Sequence, residues 1–362
     1  MSKWKNCQLG DIIKFQRGHD LPKTHMLDGE YPVIGSNGVI GYHNTYTTNA
    51  PSITVGRSGN TGNPYIVYGR SWSHNTTLYV KEFKGSDPIY VYYLLKTLDL
   101  KNFAGGSAVP TLNRNHIHTL DISVPPLKEQ VEIGRTLRAF DDKIENNAKI
   151  NHHLEQMAQA IYKSWFVDFE PWGGAMPDDW QKAELGEVVF LSAGGDKPVV
   201  VSPTPTEECT VPIYSNGIDN FGLYGFTDFP KITDESVTVS ARGTIGFVCL
   251  REEPFVPIVR LVTAIPNIEF LTAKFLFLFL KNAHIAGVGT TQQQLTVPDF
   301  KKFAILVPNR DTVESFTQKV NPIFDKMRHN REENINFTTL RDTLLPRLMS
   351  GELSVSDIQA TK

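Results

Sequence analysis

From Leu137 onward, apolar residues recur at alternating steps of three and four: Leu137, Phe140, Ile144, Leu154, Ala158, Ile161 and Trp165. Asn147 and Asn151 fill two places in the same series. Alternation sustained over about four heptads predicts a helix packed along a seam against another helix. Adding 183 to each number gives a second series: Val320, Ile323, Met327, Asn330, Asn334, Phe337, Arg341, Leu344 and Leu348. Both copies carry two asparagines at matched places while most other positions differ. Asparagine buried in a seam costs stability but fixes register and partner, so the matched pairs read as seam residues rather than exposed helix polars. Arg341, opposite Ala158 in the repeat, fits badly and is expected to reach out to water near the helix end. The series from Leu137 to Trp165 spans about 43 Å at 1.5 Å per residue. Two equal helices, each after a globular segment, predict an antiparallel coiled-coil pair holding two globular units apart with pseudo-twofold symmetry. Two amphipathic helices, each packed on its own domain, are the plainer alternative.

The globular segments repeat as well. Trp4-Lys5-Asn6-Cys7-Gln8-Leu9-Gly10-Asp11 and Trp180-Gln181-Lys182-Ala183-Glu184-Leu185-Gly186-Glu187 share the pattern W-x4-L-G-acid. Pro32 to Gly38 matches Pro212 to Gly217 with one residue dropped. Ile53 to Gly62 matches Val237 to Gly246, and Ile122-Ser123-Val124-Pro125 matches Ile305-Leu306-Val307-Pro308. Short β-branched runs at 52–55, 65–68, 236–239 and 246–250, broken by Gly, Pro and Asn, predict strands. Helical stretches are expected at 88–100 and 271–282. Extended Pro-bearing strands at 121–126 and 304–308 precede the long helices, which should begin near 127–130 and 310–313. The fold class is α+β, with the order globular unit, long helix, globular unit, long helix. The boundaries fall at 1–127, 128–170, 171–309 and 310–352, with 353–362 as a C-terminal tail.

Composition narrows the function. The 362 residues are 40% hydrophobic and 21% charged, which excludes a disordered chain. Cys7, Cys209 and Cys249 lie too far apart for a disulfide framework or a C-x-x-C metal site, and a reducing compartment fits them. The start carries no secretory signal, and the longest apolar run, Phe275 to Leu280, is too short to span a bilayer. A cytoplasmic location is expected. The net charge is −3, but residues 1–127 sum to +4 and residues 171–309 to −5. Tight binding to nucleic acid by this chain alone therefore has to come from local patches or from basic partners.

Enzyme signatures are missing. There is no phosphate-binding P-loop and no N-P-P-F type methyltransferase tetrapeptide. Gly56, Gly59 and Gly62 have the wrong spacing for a dinucleotide site and suit a bend. Glu82-Phe83-Lys84 lacks a partner for a nuclease metal site. Asp141-Asp142-Lys143 reads as a solvated helix face, and His152-His153 has no companion at metal-ligand spacing. No G-x-S-x-G elbow is present. A non-catalytic chain without cofactor or metal is expected.

Taken in order, these residues resemble the specificity subunit of type I restriction-modification enzymes. The resemblance rests on the paired W-x4-L-G-acid openings, the S-N-G turns and the boundary Ile122 to Gln130. It rests also on the helix ends Ile161 to Phe169 and Leu344 to Leu353. It implies two target recognition domains, each reading one half of a bipartite DNA target in the major groove. The conserved helices between them would dock two adenine methyltransferase subunits that use S-adenosylmethionine, with a restriction and translocation subunit using ATP and Mg where one exists. The second boundary departs from the pattern: Val307-Pro308-Asn309-Arg310-Asp311 replaces P-P-L-x-E-Q, so partner contacts there are expected to differ.

Base reading favours Arg for guanine and Asn or Gln for adenine, while Lys, Arg, Ser and Thr position phosphates. In the first unit the candidates are Arg57, Ser58, Asn60 and Thr61 in the Gly loop, with Lys23, Ser36, Asn37, Arg70, Asn113 and Arg114. In the second they are Arg242 and Thr244, Ser215 and Asn216, the run Gln292-Gln293-Gln294, and Lys197. Asn37 and Asn216 precede Gly and are also turn formers. Arg57 and Arg242 follow matched strands and suit phosphate or base equally. Two alternatives from other classes stand beside this reading: a scaffold spacing two protein-binding modules without DNA, and an enzyme with an unfamiliar site.

Overall fold

The computed structural model describes residues 4–105, 110–285 and 294–359. By its backbone contacts the chain divides into two units: Met1–Asn147 with Arg331–Lys362 (unit 1), and Ala148–Asn330 (unit 2). The divide falls inside the long helices, Leu127–Phe166 and Arg310–Ser350, so each helix gives one half to each unit. Among the described residues, no helix is long and apolar enough to cross a membrane.

Each unit opens and closes on a two-stranded clasp. In unit 1, Lys5–Gln8 pairs antiparallel with Asp121–Val124; in unit 2, Gln181–Glu184 pairs with Ala304–Val307. One turn of helix follows each opening strand, and this explains the W-x4-L-G-acid motif. The leucine is fully buried in both copies. The acid closes a capping box: Asp11 Oδ2 accepts from Gln8 N at 2.9 Å, and Glu187 Oε2 accepts from Glu184 N at 2.9 Å. Gly10 is small because a Cβ there would meet the backbone of His118 at 3.0 Å. The tryptophans dock on helix ends. Trp180 packs against Phe166, Phe169 and Trp172, and the Trp4 indole lies 3.1 Å from where a Cβ on Gly351 would stand.

Behind each clasp lies a four-stranded antiparallel sheet of the same order. Unit 1 runs Lys14–Arg17, Thr77–Glu82, Ser52–Gly56, Pro64–Val67. Unit 2 runs Val189–Ala193, Val262–Pro266, Ser236–Val239, Val248–Arg251. Ser52–Gly56 and Ser236–Val239 are buried along their whole length, as β-branched runs without alternation require. A ten-residue helix covers each sheet. Pro88–Thr97 is capped by Asp87, and Ala273–Asn282 by Thr272. A smaller three-stranded sheet completes each unit.

The long helices pair within each unit, antiparallel. In unit 1, Asn147 Nδ2 donates to Asn334 Oδ1 at 3.0 Å, and Asn334 Nδ2 donates to the Ile144 carbonyl at 3.2 Å. In unit 2, Asn330 Nδ2 donates to Asn151 Oδ1 at 2.8 Å, and Asn151 Nδ2 donates to the Met327 carbonyl at 3.0 Å. The two sets are equivalent residue for residue at the offset of 183, since Ile144 becomes Met327 and Asn151 becomes Asn334. All sixteen predicted apolar and asparagine seam residues other than Ala158 are buried or half-buried, and Ala158 is fully buried. Towards their ends the seams merge with the domain cores. Leu137 and Leu348 belong to the unit 1 core, and Val320 and Met327 to that of unit 2.

Two expectations need correction, and the departure at the second boundary finds a structural reason. Arg341 does not reach out to water. Its Nη1 lies 2.6 Å from Asp141 Oδ1, both side chains are mostly covered, and Asp141 also accepts from the Tyr93 hydroxyl. Asp141 is thus a half-buried counter-charge rather than part of a solvated face, because a guanidinium replacing a methyl on the seam needs one. The second boundary lacks P-P-L-x-E-Q because its helix starts differently. In the first copy Gln130 is buried, donating to the Pro125 carbonyl and accepting from Asp87 N. In the second, Asn309 caps the helix, accepting from Thr312 N at 2.9 Å and donating to Asp179 at 2.6 Å. The segment expected to be a tail is in part core: Val355 is buried in unit 1 with Leu353 and Ile358 packed beside it.

The asparagine pairs give a stability prediction. Asn151→Ala strands the amide of fully buried Asn330 and should cost about 1–3 kcal/mol in urea unfolding. Replacing both Asn151 and Asn330 by Leu should recover most of that loss, since an apolar pair leaves no orphan. An Asn151→Ala protein as stable as the parent would show that the pair is not sealed.

Candidate nucleic-acid interface

In both units a glycine loop leaves the buried central strand by the same route. Gly62 N donates to the Gly56 carbonyl at 2.8 Å, and Gly246 N donates to the Ser240 carbonyl at 3.0 Å. Gly59, Gly62, Gly243 and Gly246 all have positive φ, between 70° and 85°, which L side chains rarely adopt. A neighbouring segment locks each loop from the side: Leu112 N donates to the Arg57 carbonyl at 2.8 Å, and Leu295 N donates to the Ala241 carbonyl at 3.0 Å. Arg57 therefore corresponds to Ala241, and Arg242 to Ser58. The two arginines stand one residue out of register.

In unit 1 the loop borders two cavities. One, of about 500 Å³, is lined by Arg17, Arg57, Thr111, Asn113, Arg114 and His116, among others. Among the described residues, none of its three arginines has a carboxylate at ion-pair distance. Burial holds the Arg57 guanidinium below its ordinary pKa, and repulsion from Arg17 adds to this. The other cavity, of about 590 Å³, takes Ser36, Asn37 and Asn60 together with Asn63, Tyr65 and Lys96. Asn37 stands exposed at the hairpin tip between Tyr31–Gly35 and Gly38–His43. The Asn60 amide oxygen accepts from Asn63, and Ser58 bridges to Thr111. Lys23, in a single exposed turn, and Arg70, whose guanidinium sits 4.6 Å over the Tyr46 ring, line neither cavity.

Some predicted residues are taken up by the fold. Thr61 is buried and donates to the Gly59 carbonyl at 3.2 Å, so its hydroxyl closes the loop instead of facing outward. Asn113 spends its oxygen capping the helix Arg114–His118. Asn216 uses both ends of its amide on backbone, accepting from Ala241 N at 2.7 Å and donating to the Val259 carbonyl at 2.6 Å. It braces the glycine loop against the left-handed turn at Val259 and Arg260. Both polar atoms of the amide are thus committed to the fold, with one N–H and one oxygen lone pair left over.

Elsewhere in unit 2, Arg242 and Thr244 are exposed at the loop tip, and Arg242 donates from Nε and Nη2 to Gln294 Oε1 at 3.1 and 2.9 Å. Ser215 is half-buried, with its backbone tied to Gly222. Lys197 is exposed, 5.7 Å from the Tyr224 ring centroid. Gln292 and Gln293 lie outside the described residues.

Arg17 was missed because a lone arginine closing a strand looks like surface charge; only the fold brings it to Arg57. Arg251 shows why residue type is a poor guide by itself. It is buried, stacks 3.5 Å over Tyr214, and donates to Thr238 Oγ1 and the Phe221 carbonyl, so it serves the core. Among the described residues, no group of three His, Cys, Asp or Glu could hold a metal ion.

The family model described as the type I restriction modification DNA specificity domain matches residues 1–156 and 177–327. The specificity subunit of a type I restriction enzyme from Methanocaldococcus jannaschii is 27% identical over 304 residues, covering 74% of this chain and 70% of that protein. One from Haemophilus influenzae is 25% identical over 331 residues, covering 67% and 71%. The crystal structure of the type I restriction-modification system S subunit from M. genitalium matches with a TM-score of 0.62 at 19% identity, covering 96% of each chain.

The arginine cluster predicts salt-dependent stability. Arg17→Gln, which removes one charge and keeps an unbranched polar side chain, should raise the melting temperature at low ionic strength. The gain should shrink near 1 M NaCl, where the Debye length falls to about 3 Å. A gain of the same size at both salt concentrations would mean that the three arginines do not repel one another.

Proposed function

Because the chain belongs to the type I restriction-modification DNA specificity family, we propose that it is the sequence-reading subunit of such a system and performs no chemistry itself. Each unit reads one half of a split, asymmetric DNA target. Residues 1–127 choose the first half and residues 171–309 the second. The two long helices dock two adenine methyltransferase subunits, which bring S-adenosylmethionine. A restriction and translocation subunit using ATP and Mg joins where the system has one. The complex works in the cytoplasm.

The observation that carries this reading is the conserved frame around diverged loop tips. Both units hold a glycine loop by the same backbone bonds, yet unit 1 sets Arg57 over an arginine-lined cavity while unit 2 presents Arg242 and Thr244. A constant frame with different polar tips suits two readers of different half-sites. The deficit of positive charge in residues 171–309 fits a complex in which partners supply much of the phosphate contact.

Co-expression with the cognate methyltransferase in a methylation-free host, followed by mapping of N6-methyladenine, tests the reading. A split asymmetric motif should appear and vanish when this chain is omitted. Exchanging residues 1–127 for those of a relative should change one half of the motif alone. An unchanged motif without this chain would refute the specificity role and favour a protein scaffold.

A further inference from the structure

We infer that Arg242 reads a guanine in the major groove of the half-site taken by unit 2, with Gln294 as its positioning residue; this deepens the proposed function and rests on it. Four observations converge. The loop tip stands clear of the fold: Arg242, Gly243 and Thr244 are exposed, and a Cβ on Gly243 would meet nothing within 4 Å. The guanidinium is nevertheless fixed, because Nε and Nη2 both donate to Gln294 Oε1. Those two bonds use the side edge of the planar group and leave the end edge, Nη1 with the second N–H of Nη2, unused by the described residues. Two parallel donors on one edge match the O6 and N7 acceptors of guanine.

The holder is a neutral amide. A carboxylate would fix the same geometry but bring a negative charge to the loop tip, whereas Gln294 orients Arg242 without adding one. A phosphate contact needs only charge within reach and tolerates a loose stem, but base reading needs the plane held. The backbone beneath is held too. Ala241 N is bound by Asn216 Oδ1, and the Ala241 carbonyl by Leu295 N. Arg242 and Gln294 thus each adjoin one member of a bonded pair, which fixes their separation. In unit 1, by contrast, Ser58 occupies the equivalent place, and the arginines gather in a cleft.

The test uses the full complex with its methyltransferase and the genomic DNA of a methylation-free host. Arg242→Lys keeps the charge but loses the two-pronged edge. It should cut the preference for one guanine, in one half of the motif, by about tenfold or more while the other half stays intact. Gln294→Ala should relax the same position to a smaller degree. If Arg242→Lys retains the guanine preference, or the wild-type half-site contains no guanine, the assignment is wrong. A uniform fall in methylation at all motif variants, steeper with salt, would make Arg242 a phosphate contact and also overturn it. A wild-type motif independent of this chain would instead refute the functional reading beneath the proposal. Arg242→Gln is a second variant, expected to shift the preference from guanine towards adenine; an unchanged motif counts against the proposal.

Discussion

The paired carboxamides in the helix seams are the constraint on which the rest of the structure depends. An apolar seam alone tolerates sliding by a turn, because one leucine replaces another at little cost. An amide buried among leucines does not, since it must find a donor or acceptor at one height. Asn147 finds Asn334 and Asn330 finds Asn151, and each pair is tied to a backbone carbonyl as well. With register fixed, the helix ends fall where the domain-opening tryptophans expect them. The seam leucines then continue into the domain cores, so each core is closed by helix residues from distant parts of the chain.

Much of this was legible because it repeats. Three-four spacing identifies the helices, and a motif seen twice separates design from accident. The W-x4-L-G-acid opening could be found by pattern, although its meaning, a capping box over a buried leucine beside a close backbone approach, needed coordinates. The candidate interface was less legible, since one side chain type can serve opposite ends. Arg242 and Arg251 lie nine residues apart in one unit, yet one stands in solvent and the other supports a buried tyrosine. Asn37 and Asn216 share an S-N-G context, but a two-residue hairpin leaves the first free while a longer turn draws the second into the fold. Arg341 and Asp141 are about two hundred residues apart, and nothing in either local pattern announces the pair.

The two units divide labour between backbone and side chain. Main-chain bonds from Leu112 and Leu295, together with the positive-φ glycines, hold the loop frame and demand little of the residues between. Side chains at the tip are then free to diverge without loss of fold. The same division explains why unit 2 can be acidic overall and still present a cation where it faces outward.

The way the chain is apportioned also bears on how it is made. Unit 2 is one continuous stretch, 148–330, and has every residue of its core once Asn330 has left the ribosome. Unit 1 is begun first but draws core residues from 331–362, so part of the core of its first 147 residues stays unpartnered until those have been made. Unit 2 is therefore the first to have its core residues complete along the chain, the reverse of a plain N-terminal-first arrangement. The longest and slowest loop closure falls to the unit at the chain's beginning. Until then Leu137 and its neighbours lack Leu348, Met349 and Val355, the residues that complete their core in the finished protein.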